Sequence, residues 1–199
     1  MRPSIVEGSV AMMRATQAAG VRTFVFASTL LVYPDQPEQI DRSTVPGPLL
    51  GYGQAKLEAE LELAQLGRQT GMTVAILRLP HVYGGRDLLM YRALHGLVIL
   101  PRPGDKPVAH LHVSDVARAL IDDAELGFQG ALPIGDDHPA PWMKFLAELR
   151  ERLPTLRQLI VPVALVKAGL HLFSPVRLLN GRPLSTRLKP CVACSRDSQ

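Results

Sequence analysis

Tyr52 and Lys56 stand four residues apart, near the start of a Leu-, Ala- and Glu-rich segment that reads as a helix over residues 50–70 and stops at Gly71. That spacing is one helical turn, so a phenol and an ammonium share a face. A neighbouring cation favours phenolate, which predicts a lowered pKa for Tyr52 and an acid/base group usable near neutrality. The pair alone is a weak signal, because a surface helix carries such pairs by chance. Thr29 gives it context. It follows Arg22–Ser28, whose consecutive Phe24, Val25 and Phe26 read as a strand buried on both faces, as in a covered parallel sheet. A hydroxyl at the C-terminal end of such a strand lies where α/β sheets bind ligands, and Thr29 can there hydrogen-bond a substrate oxygen beside Tyr52.

The elements that must position these groups alternate. A helix is expected over residues 4–19, with Ser4 and Glu7 at capping-box spacing and Gly20 as its stop. The strand 22–28 follows, then a Pro-rich polar loop over 34–48, the helix 50–70 and a second buried strand over 73–79. Beyond Pro80 the chain reads as a turn to Arg86, a short helix from Asp87 to His95 and a Gly/Pro-punctuated loop with a short strand at 98–100. A strand at 108–113, a helix capped by Ser114 and running to Leu126, a strand at 131–134 and a helix from Pro141 to about Arg152 come next. From Pro154 the pattern predicts a further helix to about Phe173. Strands alternating with helices point to an α/β fold with a parallel sheet.

The 199 residues have room for one domain, or one and a half small ones, and the apolar share of 47% is close to the globular average. Aromatic residues are only 5%, which argues against platforms that stack nucleic-acid bases. Residues 152–199 hold eight basic side chains and one acid, whereas the body is mildly acidic, so the overall net charge of +4 says little about the body's ligand. Cys191 and Cys194 exclude a disulfide framework and fit a reducing compartment. No signal peptide or spanning helix is legible, and the reading is a soluble cytoplasmic protein. The lone Cys191-Val192-Ala193-Cys194 lacks further zinc ligands and reads as tail. His110 and His112 share a strand face with no obvious third ligand nearby except Asp115, which favours a structural pair over a metal site. Leu153–Phe173 reads as packing on a small lobe rather than lying on a membrane, and Trp142 as packing rather than cleft lining.

Four segments in order resemble the extended short-chain dehydrogenase/reductases, the NAD-dependent epimerase/dehydratases. Ala19 to Thr29 with Val32-Tyr33 is similar to the family's fifth strand. Tyr52-Gly53-Gln54-Ala55-Lys56-Leu57-Glu58-Ala59-Glu60 is similar to its Tyr/Lys helix. Leu77 to Gly84 is similar to the next strand and substrate loop, and His112 to Ala119 to its H-V-x-D-V-A-x-A segment. The resemblance covers roughly residues 4–185. It implies the C-terminal part of a Rossmann-like doubly wound parallel sheet with a small α-rich substrate-side lobe, in residues 1–185, followed by a basic, disordered tail over 186–199. It also implies NAD or NADP as cofactor and a small-molecule substrate such as a sugar nucleotide or another secondary alcohol, with neither nucleic acid nor metal. Thr29 would orient the substrate oxygen, Tyr52 would transfer the proton, and Lys56 would hold the nicotinamide ribose. Pro80 would sit near the nicotinamide and His81 would face the substrate.

One family feature is missing from the sequence. No strand is followed by a G-x-x-G-x-x-G turn and a helix to take the pyrophosphate, and residues 1–20 resemble the helix after the family's fourth strand. The expectation is a fragment of the fold in which the strand 22–28 becomes an apolar edge, so that the isolated chain is unstable, oligomeric or an incomplete part of a longer protein. The alternative to an enzyme is a non-catalytic remnant or interaction module of the same fold.

Overall fold

The computed structural model describes residues 2–34, 39–84, 87, 91, 97–102, 107–152 and 156–162. The elements are α1 (Arg2–Ala18), β1 (Thr23–Thr29), a 3₁₀ turn (Leu30–Val32), α2 (Gly51–Thr70), β2 (Thr73–Leu79), β3 (His81–Tyr83), β4 (Leu97–Arg102) and β5 (Pro107–Val108). They continue with β6 (His110–His112), α3 (Val113–Leu126), β7 (Gly130–Pro133), β8 (Ala140–Pro141), α4 (Trp142–Arg152) and β9 (Arg157–Pro162). Among the described residues two compact units emerge, one within 2–83 and 108–139 and the other within 84–107 and 140–162.

The first unit is built on a parallel sheet of order β1-β2-β7. The strand period sorts its side chains onto two faces. Phe26, Val74 and Ile76 meet Val6 and Met13 of α1 and Ala59, Leu63 and Leu66 of α2. Val25, Leu77 and Leu79 meet Val116 and Leu120 of α3. Helices therefore cover both faces, which explains the apolar run Val74–Leu77. Each fully buried Leu or Met here contributes about 1.5–3 kcal/mol of transfer free energy. A third cluster joins Leu30, Val32, Tyr33 and Ile40 to Ala109, and a short parallel pair sets His81, Val82 and Tyr83 of β3 against His110, Leu111 and His112 of β6.

In the second unit β4 pairs in parallel with β9, and α4 packs Trp142, Phe145 and Leu146 with Leu156. This corrects the expected helix from Pro154, because residues 157–162 are a strand. The stretch lies between Pro154 and Pro162 and includes β-branched Ile160 and Val161, which suits a paired strand better than a short helix. The lobe is thus not purely helical. Residues 163–199, including the predicted tail, and most of the expected helix 87–95 lie outside the described residues.

Smaller differences have local causes. α1 starts at Arg2, with Pro3 suited to a first turn, so Ser4 lies inside the helix and the expected capping box is not its boundary. The expected turn after Pro80 contains β3, because His81–Tyr83 finds a partner in β6. α3 is capped by His112, whose ring accepts from the Ser114 amide, and not by Ser114. Pro141 belongs to β8, one residue before α4. No helix among the described residues is long and apolar enough to cross a membrane.

Candidate active site

β1 and β2 run in register, Ser28 opposite Arg78 and Thr29 opposite Leu79, so both strands finish at one sheet rim. The chain leaves β1 through the 3₁₀ turn, which Thr29 caps by accepting from the Leu31 amide at 3.3 Å. A hydroxyl keeps its own hydrogen when it accepts, so Thr29 retains a donor. Pro80 follows β2 at the same rim, one residue beyond the pair Thr29 and Leu79.

α2 is brought to this rim by glycine. A Cβ on Gly53 would lie 2.1 Å from the Leu31 carbonyl oxygen and 3.1 Å from Cβ of Pro48. Only the absent side chain lets the first turn of α2 rest on the turn that follows Thr29. Gly67 does the same at the other end, where a Cβ would stand 2.5 Å from Cγ2 of Val74. These glycines were not marked as functional from sequence, although Gly53 beside Tyr52 in a helix interior is a visible breach of helix propensity.

Lys56 then reaches the strand. Its Nζ donates to the carbonyl of Ala27 at 2.8 Å, lies 4.5 Å from the centroid of the Phe26 ring and 6.0 Å from that of Tyr52. Lys56 is thus fastened to β1 two residues before Thr29, and Tyr52 shares its face of α2. Tyr52 is 38% exposed. Its surroundings act against the expected lowering. Burial pushes the Tyr52 phenol above its ordinary value, so the neutral form is favoured. Burial also lowers Lys56, and the charge of Glu60 works in the opposite direction.

One helical turn beyond Lys56 lies a buried charge network. Arg78 grips the Glu60 carboxylate through Nη2 at 2.7 Å and Nε at 3.1 Å, and its Nη1 donates to the Tyr33 hydroxyl at 2.7 Å. Ser28 donates to the other carboxylate oxygen. Burial works against the charge of Arg78, but its bonds to Glu60 and Tyr33 outweigh this and its pKa is raised. Arg78 interrupts the apolar run TVAILRL, and that interruption was the sequence signal for a buried partner.

His81 stands on β3 opposite His110 of β6. Its Nδ1 lies 3.3 Å from Nδ1 of His110, with the rings edge to face. His112 packs on Tyr83 and caps α3. No group of three His, Cys, Asp or Glu side chains that could hold a metal occurs among the described residues. A surface groove of about 390 Å³, lined by Val6, Val10 and Ala11 with Glu7, Arg14 and Glu62, includes none of Thr29, Tyr52 and Lys56.

A sequence profile of the NAD dependent epimerase/dehydratase family matches residues 3–125, a span that contains Thr29, Tyr52 and Lys56. The chain belongs to that family. Within this epimerase/dehydratase family, an uncharacterised UDP-glucose epimerase of Bacillus subtilis is 34% identical over 87 residues, 42% of this chain and 27% of that protein. MoeE5, solved with UDP-glucuronic acid and NAD, superposes with a TM-score of 0.68 at 28% identity, covering 79% of this chain and 56% of that one. UDP-N-acetylglucosamine 4-epimerase from Methanobrevibacter ruminantium, solved with UDP-N-acetylmuramic acid, gives a TM-score of 0.71 at 18% identity. The match covers 79% of this chain and 55% of that one and shows the shared Rossmann-like fold. The chain thus spans little more than half the length of these solved relatives and about a quarter of the curated one.

Proposed function

We propose that this chain carries the proton-transfer half of an NAD(P)-dependent site that oxidises, epimerises or dehydrates a sugar nucleotide. The observation that carries the reading is the Lys56 bond to the Ala27 carbonyl at 2.8 Å, which holds the ammonium beside Tyr52 at the end of the strand that bears Thr29. MoeE5, with its bound UDP-glucuronic acid and NAD, supports the substrate and cofactor classes.

The residues fit the nicotinamide-ribose end of a dinucleotide. An ammonium has three N–H donors, and Lys56 gives one to Ala27, which leaves two for ribose hydroxyls. Pro80 offers an apolar ring at the same rim. The pyrophosphate end has no Gly-rich cradle within the 199 residues. A bound nicotinamide supplies the hydride acceptor and donor. Tyr52 acts at the substrate hydroxyl oxygen, giving its proton when the alcohol forms and taking one when the carbonyl forms. Burial keeps it protonated at rest, and Lys56 stabilises the phenolate when it arises. Thr29 donates to the same substrate oxygen, and His81 lines the approach to it.

The test is conversion of UDP-sugars by the purified chain with NAD or NADP at millimolar concentration, followed by NMR of the sugar ring. The reading predicts an epimer, a keto sugar or a dehydrated sugar. No conversion of any UDP-glucose, UDP-glucuronate or UDP-N-acetylhexosamine would favour the second reading, a non-catalytic module of the same fold. That alternative draws on the lack of a Gly-rich phosphate-binding turn among these 199 residues.

A further inference from the structure

Glu60 is a buried carboxylate, 3% exposed, that the proton-transfer scheme leaves unused. It lies one helical turn beyond Lys56 on the same face of α2. Consecutive residues of β1 receive the two side chains: the Ala27 carbonyl takes Lys56, and the Ser28 hydroxyl donates to Glu60. Arg78 fixes the carboxylate from β2 with two nitrogens. Stability alone gives little reason for this arrangement, since a buried ion pair is often no better than well-packed apolar side chains.

The groups that face Lys56 can be enumerated. From α2 come Tyr52 and Glu60, and from β1 the Phe26 ring and the Ala27 carbonyl. Arg78 of β2 is linked to this group through Glu60, which it holds, and is itself bonded to Tyr33. Glu60 is thus paired with Arg78, and its charge also acts on Lys56 from one helical turn away. Without that opposing charge Lys56 would stand in a half-buried setting, where an ammonium is able to shed its proton.

We propose that Glu60 is a positioning residue that keeps the Lys56 ammonium protonated and seated on the Ala27 carbonyl, with Arg78 and Ser28 holding the carboxylate in place. The inference rests on the role given above to Lys56 beside Tyr52. Its functional consequence is a pH limit: a neutral Lys56 neither steadies a Tyr52 phenolate nor keeps all its donors for ribose hydroxyls.

The test follows the Lys56 side-chain nitrogen by NMR across pH in the full chain with labelled lysine, its signal assigned by its loss in Lys56→Arg. Glu60→Gln is expected to lower the titration midpoint by about one pH unit or more. Arg78→Gln leaves the carboxylate to Lys56 alone and is expected to raise the midpoint. Opposite directions cannot come from a shared loss of stability. An unmoved midpoint in Glu60→Gln, or the same direction in both variants, would overturn the proposal. Where neither variant folds, Glu60→Asp decides: it keeps the charge and is expected to leave the midpoint nearly in place, and a midpoint well below that of the unaltered chain would overturn the proposal. In the UDP-sugar assay, Glu60→Gln should move the basic limb of the pH profile to lower pH. Titrations that behave as expected in a chain without turnover would leave this inference standing and sink the proton-transfer reading instead.

Discussion

Tyr52 was legible as chemistry from its spacing to Lys56 and from the strand ending at Thr29, but its charge state was not. Spacing reports the neighbour and not the burial, and here burial dominates and raises the phenol. The sign has a consequence for stability. A group whose folded pKa lies above its unfolded value stabilises the native state fully below the unfolded pKa, near 10 for tyrosine, and loses that contribution as pH rises through the folded value. Phenolate absorbance of the chain, minus that of Tyr52→Phe, should therefore show Tyr52 ionising later than a free tyrosine. Ionisation below the ordinary value would mean that Lys56 outweighs burial. Glu60 was harder to read than Tyr52, because Glu is common in helices and only the three-dimensional partners, Ser28 and Arg78, reveal that it is buried.

At the scale of elements, the helices and strands that carry strong periodicity were legible, and those set by distant pairing were not. The strand 73–79 was readable because an apolar run bounded by Gly71 and Pro80 leaves little choice. β9 was missed because its strand character comes from β4, more than fifty residues earlier in the chain. The close approach of α2 to the turn after β1 depends on one glycine, and this is testable. Gly53→Ala is expected to cost about 1–3 kcal/mol in urea unfolding, since its Cβ would meet backbone and not a flexible side-chain end. Gly51→Ala is the control: nothing lies within 4 Å of its Cβ, and the change is expected to stay within about 0.5 kcal/mol. Equal effects at the two positions would contradict the close-approach account. Gly53→Ala should also impair conversion more than its stability loss explains, because the shift separates Tyr52 from Thr29.

On the scale of the whole molecule, the sheet order leaves β1 paired on one side only among the described residues. An edge of this apolar kind offers free backbone groups to another strand. Sedimentation of the purified chain is expected to show concentration-dependent association, and a monodisperse monomer with a sharp thermal transition would count against it. The absent Gly-rich turn has a parallel consequence: NADH fluorescence titration should give no binding at micromolar protein, and a micromolar dissociation constant would reveal another phosphate site. The family and the sheet were legible from four ordered motifs. The substrate was not, because the loops that would choose it carry no comparable pattern. The central claim, that Tyr52 moves the proton, is tested most directly by comparing Tyr52→Phe with the unaltered chain in UDP-sugar conversion at millimolar dinucleotide. The account predicts a fall in kcat of about 10²-fold or more with substrate binding nearly unchanged, whereas conversion that survives the substitution at its original rate would contradict it.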